Sequence, residues 1–357
     1  MSRQRLDPRT PLTELHVHLG AAVTPAIMWG ISHAQGIRLP TKDYWAFHDL
    51  ITVGRRRRSF AAYLELFHWT ELIQSSPIAV ERSVYEVIGG AYRKNNVTQL
   101  ELRFNPMKRN RGGEQDLDHI IAAAVRGMDR AVLEYPQVRA GLVFCLDRGF
   151  SRELNEIIAA KAIAWRSRGV VGIDIAGPEF EGFRFADYAH VYAECRKAGL
   201  GLTVHAGETG GAAEVREALE ALEPDRIGHG VRSVEDASVL AMLRERRTVL
   251  EVCPGSNLTT GVVRSHAELR RVVRAMVDED VSFTISTDGP EMLRSYLRDE
   301  LAMLMRHEIL SLDEVRRAIG TGERASFLDR APIIDTSVSG RETAGNGHAA
   351  IPVEVGS

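Results

Sequence analysis

Short apolar segments alternate with longer amphipathic segments along most of the chain, and this alternation restricts the fold more than any other feature. Eight apolar segments are predicted to be strands: Leu12–His18, Val97–Arg103, Ala140–Leu146, Val170–Ile175, Leu200–His205, Arg226–His229, Thr248–Val252 and Val281–Thr287. Several of them, such as Gly141–Leu146 (GLVFCL), are apolar without alternation, which is typical of strands buried on both faces of a parallel sheet. Helical patterns lie between them, for example at Asp116–Tyr135, Arg152–Ser167, Gly211–Leu222 and Ser233–Arg246. The pattern predicts an α/β fold, a TIM (β/α)8 barrel, rather than two domains.

The segment between the first two predicted strands is unusually long. Helices are predicted at Asp43–Ser59 and Phe60–Ile73, so we expect a helical insertion after the first strand, over residues 40–95 or so. In a barrel, such insertions lie over the C-terminal ends of the strands, where active sites are found. The barrel is predicted to occupy residues 1–334. The remaining residues, 335–357, are small, polar and rich in glycine, and we expect a disordered tail there.

Charge and cysteine content exclude several classes of protein. Lys and Arg total 45 and Asp and Glu total 48, a net charge of −3, which does not favour a nucleic-acid or membrane-surface partner. No run approaches the roughly 20 apolar residues that span a bilayer, and the N-terminus lacks the apolar core of a secretory signal. The three cysteines, Cys145, Cys195 and Cys253, are too scattered for a disulfide framework. We therefore expect a soluble, cytoplasmic protein.

Histidine or aspartate stands at the C-terminal end of four predicted strands. His16 and His18 alternate on the first strand, so their side chains point the same way. His205 ends the fifth strand, His229 ends the sixth, and Asp288 follows the eighth. Each of these alone has an ordinary explanation as a packed or solvated polar residue. Because the strand ends of a barrel meet at one mouth, the combination indicates a metal site, and imidazoles with a carboxylate suit zinc, or iron or cobalt.

Glu208 is the candidate for proton transfer at such a site. It lies three residues after His205, on a predicted loop, and no ligand role is required of it. A metal can lower the pKa of bound water from 15.7 towards about 7, and a positioned acid or base must then exchange protons with the substrate. A solvated loop acid or a helix-capping residue would occupy the same place in the sequence. His229 could orient the water or take its proton.

Five motifs resemble the adenosine deaminase family in their order and spacing. They are HVHL, TVHAGE, RIGHGV, LEVCPGSN and STDGP, and the resemblance covers roughly residues 12–330. The family has a single zinc site, so the resemblance implies one Zn²⁺ per chain. The implied zinc ligands are His16, His18, His205 and Asp288.

The resemblance also implies a reaction and roles for other residues. Glu208 would donate a proton to purine N1, and His229 would activate the attacking water. The backbone of Gly177 would hydrogen-bond to the base, and Ser256 and Asn257 would support the site. The expected activity is hydrolytic deamination of a 6-aminopurine nucleoside, adenosine or a similar compound, to the 6-oxo product and ammonia. The expected partner is therefore a small purine nucleoside, without any nucleic acid or membrane.

Two positions depart from the family's usual pattern. The family usually has HxHLD, whose aspartate meets the ribose 5′-hydroxyl, and this chain has Gly20 there. It usually has TDDP, whose second aspartate contacts purine N7, and this chain has Gly289 there. Each lost contact would weaken adenosine binding by about 1–3 kcal/mol if buried. The missing side chain at Gly20 is expected to leave room for a 5′-extended substrate such as 6-amino-6-deoxyfutalosine, a benzoate-bearing intermediate of menaquinone synthesis.

Several cationic and aromatic residues are candidates for contacts with such a substrate. Arg103, at the end of the second strand, and Arg55–Arg58, in the insertion, could pair with a carboxylate, although an arginine run in a loop is usually solvated. A second cationic cluster consists of Lys108, Arg109 and Arg111. Phe60 and Tyr63 begin an apolar helix face that would either cover the sugar or pack in the core.

Two further hypotheses belong to other classes. One is hydrolysis of an ester, lactone or cyclic amide by a related amidohydrolase barrel, which the ordered HAGE, GHG and CPGSN motifs disfavour. The other is a non-enzymatic nucleoside-binding or metal-binding relative. That hypothesis predicts loss of Glu208 or of a metal ligand, whereas every one of these positions carries the residue type that catalysis needs.

Overall fold

The computed structural model describes residues 5–53, 60–110, 116–178 and 182–330, and its centre is a sheet of eight parallel strands. The strands are β1 (Leu12–His18), β2 (Val97–Phe104), β3 (Arg139–Asp147), β4 (Val170–Ala176), β5 (Gly201–Ala206), β6 (Arg226–His229), β7 (Val249–Val252) and β8 (Phe283–Ile285). They pair in chain order from β1 to β8. A bridge between Val17 and Asp288 joins the end of the sheet to β1. The prediction of a TIM barrel is therefore confirmed.

Helices follow the strands and surround them. The α-helices of the described residues are α1 (Leu19–Ala22), α2 (Pro25–Ala34), α3 (Tyr44–Ile51), α4 (Phe60–Ile73), α5 (Pro77–Asn95), α6 (Leu117–Glu134), α7 (Arg152–Ala164), α8 (Ala189–Lys197), α9 (Ala212–Leu222), α10 (Ala237–Arg246), α11 (Pro254–Thr260), α12 (His266–Asp278), α13 (Pro290–Leu293), α14 (Leu297–Arg306) and α15 (Leu312–Ala325). Short 3₁₀ helices lie at Met107–Arg109, Arg166–Arg168, Phe185–Tyr188, Val231–Glu235 and Phe327–Arg330. Side-chain oxygens of Ser76, Ser151 and Ser265 accept hydrogen bonds from backbone N–H groups in the first turns of α5, α7 and α12, which explains why these helices begin there.

The helical insertion predicted after the first strand is present: α3, α4 and α5 lie within residues 40–95, and α1 and α2 precede them. Helix α4 lies over the C-terminal ends of the strands, where Tyr63 and Leu66 pack against Ala21 of α1 and Met292 of α13. Three of the predicted features, the arginine run 55–58, Arg111 and the tail 335–357, lie outside the described residues. Nowhere in the described ranges does a helix combine the length and the apolar character needed to cross a membrane.

The interior of the barrel is more polar than the apolar strand sequences indicate. Because side chains alternate along a strand, one set faces the helices and the other faces the barrel axis. Leu102 and Val204 belong to the large apolar core that includes the helices. Arg103, Arg226 and Glu251 are fully buried, and ion pairs connect them inside the barrel. The residues that face the axis therefore provide a fixed, charged support beneath the mouth.

Candidate active site

The structure brings together the four side chains that the sequence nominated as metal ligands. Nitrogen atoms of His16, His18 and His205 lie within 4.8 Å of one another. The Nε2 atoms of His18 and His205 are 3.2 Å apart, and Oδ1 of Asp288 is 3.6 Å from Nε2 of His18. These residues come from β1, from β5 and from the loop after β8, and they meet at the C-terminal mouth of the barrel.

Backbone hydrogen bonds fix Asp288 beside the two histidines of β1. The N–H of Asp288 donates to the carbonyl of His16 at 2.8 Å, and the N–H of His18 donates to the carbonyl of Asp288 at 2.8 Å. Asp288 has φ +64° and His229 has φ +62°, a left-handed conformation that residues other than glycine rarely adopt. Such strained residues persist where the surrounding structure enforces them, and they cluster at functional sites.

The chemistry of this cluster fits a divalent cation. His16 is fully buried, its Nδ1 contacts Glu251 at 2.7 Å, and its buried Nε2 has no hydrogen-bond partner. A buried polar atom without a partner is costly, and a bound cation would satisfy it. Burial lowers the pKa of His16 and His18 well below the usual value for histidine, so both are neutral at pH 7 and able to coordinate a metal. Neutral imidazoles with one carboxylate are a donor set that zinc accepts.

A second group of possible ligands shares one member with the first. His16, His229 and Cys253 also have potential ligand atoms within 4.8 Å of one another. All three cysteines are free and buried. The first group is the better candidate, because Asp288 adds a carboxylate beside His18.

Two buried carboxylates in the interior of the barrel orient two of the histidines. Asp174 Oδ1 is 3.0 Å from Nδ1 of His205, and Glu251 Oε2 is 2.7 Å from Nδ1 of His16. Binding through Nδ1 fixes each ring and turns its Nε2 towards the centre of the cluster, as in the carboxylate–histidine pairs of metal sites. Burial favours the protonated form of Asp174, but the neighbouring His205 and Arg103 outweigh this effect and hold the pKa of Asp174 below its usual range. Asp174 is therefore an ionised carboxylate. Sequence reasoning missed both acids.

Arg103, which is predicted to pair with a substrate carboxylate, borders the cavity, but protein groups already bind its guanidinium. Its guanidinium donates to Asp174 at 2.9 Å, to Glu251 at 2.8 Å and to the carbonyl of Leu15 at 2.6 Å, and its side chain is 0% exposed. Burial opposes the charge, but Glu251 and Asp174 hold the pKa of Arg103 above its usual value. Arg103 neutralises the carboxylates that orient His16 and His205, because β2 directs it towards the barrel axis.

Glu208 and His229 stand beside the cluster. Oε2 of Glu208 is 3.5 Å from Nε2 of His229, and the ring of His229 lies 4.9 Å from that of His16 and 5.3 Å from that of His205. The side-chain amide of Asn257 is 3.1 Å from Nδ1 of His229 and fixes the ring. Burial lowers the pKa of His229 well below its usual value, so the ring is neutral.

A cavity of about 360 Å³ opens onto these residues, a volume within the range of small-molecule sites. Phe60, Tyr63 and Gly20 line it on the side of the insertion, and Gly177 lines it from the end of β4. Gly177 has φ +100°, a backbone conformation that glycine adopts without strain. The predicted substrate-binding residues Phe60, Tyr63, Gly20 and Gly177 therefore border the same space as His18 and Glu208.

Neither glycine at the two departures from the family pattern leaves empty space. A Cβ atom at Gly20 would lie 2.9 Å from Cδ1 of Phe67 and 3.1 Å from Nη2 of Arg109. A Cβ atom at Gly289 would lie 3.0 Å from the hydroxyl of Tyr63. The direction in which a side chain at Gly20 would point is therefore occupied by an aromatic ring and a guanidinium, and all three residues line the cavity.

Two hydroxyl groups hold the carboxylate of Asp288. Ser256 Oγ donates to Oδ2 at 2.6 Å, and the hydroxyl of Tyr63 donates to the same oxygen at 3.3 Å. Burial and the nearby carboxylate raise the pKa of Tyr63 well above its usual value, so the phenol keeps its proton. Ser256 lies on α11, in the motif after β7 that also contributes Asn257.

Comparisons with known proteins agree with this arrangement. The family model described as adenosine deaminase matches residues 11–333. An adenosine deaminase of Clostridium kluyveri is 29% identical over 333 residues, which cover 93% of this chain and 94% of that protein. The solved adenine deaminase of Arthrobacter aurescens has a TM-score of 0.78 at 21% identity, over 90% of this chain and 98% of its own. An amidohydrolase from Burkholderia ambifaria, solved with bound zinc, has a TM-score of 0.75 at 22% identity, over 90% of this chain and 86% of its own.

The family match spans nearly all of the described barrel, and the motifs that carry the resemblance are the segments that meet at its mouth. The chain therefore belongs to the adenosine deaminase family and is a hydrolytic deaminase.

Proposed function

We propose that this protein catalyses zinc-dependent hydrolytic deamination of a 6-aminopurine nucleoside, adenosine or a close analogue, with one Zn²⁺ per chain. The observation that carries the proposal is the convergence of His16, His18, His205 and Asp288. The last three of these residues line a cavity that Glu208 also lines. The zinc bound to the similar amidohydrolase of Burkholderia ambifaria supports the choice of metal.

The four nominated ligands would hold the metal through three imidazole nitrogens and one carboxylate oxygen. When bound, the metal would lower the pKa of a water molecule and so supply a nucleophile at neutral pH. Asp174 and Glu251 keep the imidazole rings of His205 and His16 in the orientation that binding requires.

Glu208 and His229 would move the protons of the reaction. Protonated Glu208 donates its proton to purine N1 as water adds to C6. The purine ring therefore accepts the electron pair without becoming a free anion. His229 takes a proton from the attacking water and can return it to the departing amino group. The C6–N bond then breaks as the C6 hydroxyl forms the C6=O bond and gives its proton back to Glu208, so that one water is consumed and one ammonia is released for each 6-oxopurine formed.

An ultraviolet assay that follows the conversion of 6-aminopurine to 6-oxopurine tests this function. The panel contains adenosine, 5′-deoxyadenosine, a 5′-thioadenosine, adenine and 6-amino-6-deoxyfutalosine. We expect turnover of at least one nucleoside, together with release of one ammonia per product. No turnover of any of these compounds by zinc-loaded protein would contradict the proposal.

A 5′-modified adenosine, with 6-amino-6-deoxyfutalosine as one example, is a second candidate substrate, and the surroundings of Gly20 favour it. The family resemblance places the ribose 5′-hydroxyl next to this position, where Phe67 and Arg109 stand in place of a carboxylate. Neither a phenyl ring nor a guanidinium accepts a hydrogen bond. The wall beside Gly20 therefore offers no acceptor for the proton of a 5′-hydroxyl group, whereas a guanidinium can donate to an oxygen or to an anionic group at that end of the substrate.

Removal of the 5′-hydroxyl is expected to have little effect on catalysis. The values of kcat/KM for adenosine and 5′-deoxyadenosine should agree within about threefold, because the wall beside Gly20 lacks the carboxylate that would accept a hydrogen bond worth about 0.5–1.5 kcal/mol from the hydroxyl group. The two substrates should be compared with the same enzyme preparation. A loss of tenfold or more with 5′-deoxyadenosine would show that the protein does bind this hydroxyl group.

Asp174→Asn is expected to weaken zinc binding about 10–100-fold, because the amide no longer provides the charge that orients His205. Competition with a zinc-binding dye measures this affinity directly. Asp187→Asn is the matched control, since Asp187 pairs with Arg184 on the surface. Equal affinities for the wild type and for Asp174→Asn would show that Asp174 does not support the metal.

A further inference from the structure

We infer that Tyr63 determines substrate specificity by donating a hydrogen bond to purine N7. The inference rests on the proposed function, because it uses the orientation of a 6-aminopurine in this cavity. It concerns a residue of the insertion, which the strand-end motifs of the barrel do not include.

Tyr63 reaches the reaction site from helix α4. Its side chain is buried at 3% exposure, and its hydroxyl lies 3.3 Å from Oδ2 of Asp288. It lines the same cavity as Glu208. Gly289 makes this approach possible, because a Cβ atom at that position would stand 3.0 Å from the hydroxyl. The edge-on contact with the ring of Phe67, 5.5 Å away, fixes the ring of Tyr63 from the same helix.

The bond between Tyr63 and Asp288 can be exchanged for one to a ligand at little cost. Oδ2 of Asp288 already accepts a short hydrogen bond of 2.6 Å from Ser256, whereas the bond from Tyr63 is 3.3 Å long. Hydroxyl donors usually lie about 2.7–2.8 Å from the acceptor, so the bond from Tyr63 is weak. The hydrogen of Tyr63 can rotate to another acceptor while Ser256 keeps Asp288 in place.

The geometry of a purine indicates which acceptor that is. C6 must face the side of the cavity where Asp288 and His229 lie, and N1 must face Glu208. In the purine ring, N1 is bonded to C6 on one side, while C5 and N7 lie on the other. N7 therefore points away from Glu208, along the wall beside Asp288.

N7 carries a lone pair and no hydrogen, so it requires a donor, which an ionised carboxylate cannot provide. Tyr63 and Ser256 are the hydroxyl donors to Asp288 among the described residues. Ser256 is fully buried and does not line the cavity, whereas Tyr63 does. Tyr63 is therefore the group that meets N7.

The test compares adenosine with 7-deazaadenosine, in which a C–H group replaces N7. For Tyr63→Phe we expect kcat/KM for adenosine to fall about tenfold, the effect of one hydrogen bond of about 1.4 kcal/mol. The value for 7-deazaadenosine should change by less than about threefold, since that substrate has no acceptor to lose. Tyr85→Phe is the matched control, because Tyr85 bonds to Glu134 on the surface. Zinc content should be the same in all three proteins.

Other outcomes distinguish failure of this inference from failure of the proposed function. An equal loss with both substrates, or a fall in zinc content, would mean that Tyr63 acts only through Asp288, and the inference would be overturned. Turnover of neither substrate by wild-type enzyme would overturn both proposals.

Discussion

Glu208→Gln is expected to lower kcat by about 10²–10⁴-fold while zinc content stays unchanged. Glutamine has nearly the shape of glutamic acid, but it has no acidic proton to give to N1. Glu208 lies 3.5 Å from His229 and is not among the nominated ligands, so its replacement should not release the metal. Single-turnover kinetics with adenosine, together with metal analysis of the same sample, measure both effects.

Glu220→Gln is the control for this variant, because Glu220 is exposed on helix α9. It should have wild-type kcat. If Glu208→Gln kept its rate within about threefold of the wild type, Glu208 would not be the proton donor. A loss of rate accompanied by a loss of zinc would instead assign Glu208 to the metal site.

Removal of the metal with dipicolinate is expected to abolish measurable turnover and to lower the melting temperature. Activity should disappear because the source of the nucleophile is gone. A metal ion at a free concentration of 100 times its Kd stabilises the folded protein by about 2.7 kcal/mol. Removal of the metal should therefore lower Tm by several degrees while activity is lost. Calorimetry and the ultraviolet assay on the same samples measure the two effects.

Addition of zinc to the chelated protein should restore both activity and Tm. Magnesium serves as the control ion, because it prefers oxygen ligands and octahedral geometry and should restore neither. Full turnover by protein that elemental analysis shows to be free of metal would contradict the account.

The barrel could be predicted from the sequence because buried parallel strands are apolar along their whole length and helical patterns separate them. The bounds of β1 and β6 agree with the prediction. The strand predicted at Val281–Thr287 is shorter in the structure, Phe283–Ile285. After Ile285 the chain leaves the regular ladder with β7, and Asp288 pairs with β1 instead. That crossing brings the carboxylate to the histidines, and no local pattern reveals it.

The support beneath the site could not be predicted, because it depends on which strands face each other across the barrel. Asp174, Glu251 and Arg103 come from three different strands; Asp174 and Glu251 are single charged residues within apolar segments, and Arg103 shares β2 with Glu101. A charge in an otherwise buried strand was the available signal, since such a residue requires a partner. Its partner is not visible from the sequence, so the sequence alone indicates a substrate carboxylate as a partner for Arg103. The filling of the space at Gly20 by Phe67 likewise depends on how α4 packs over the mouth.

The central claim is that side chains from separate strand ends hold one divalent ion at the mouth of the barrel. Anomalous X-ray scattering from a crystal of the zinc-loaded protein, measured at the zinc edge, tests it most directly. The account predicts one peak per chain, about 2.0–2.2 Å from a nitrogen of each of His16, His18 and His205 and from an oxygen of Asp288. No peak there, or a peak between His16, His229 and Cys253, would contradict it.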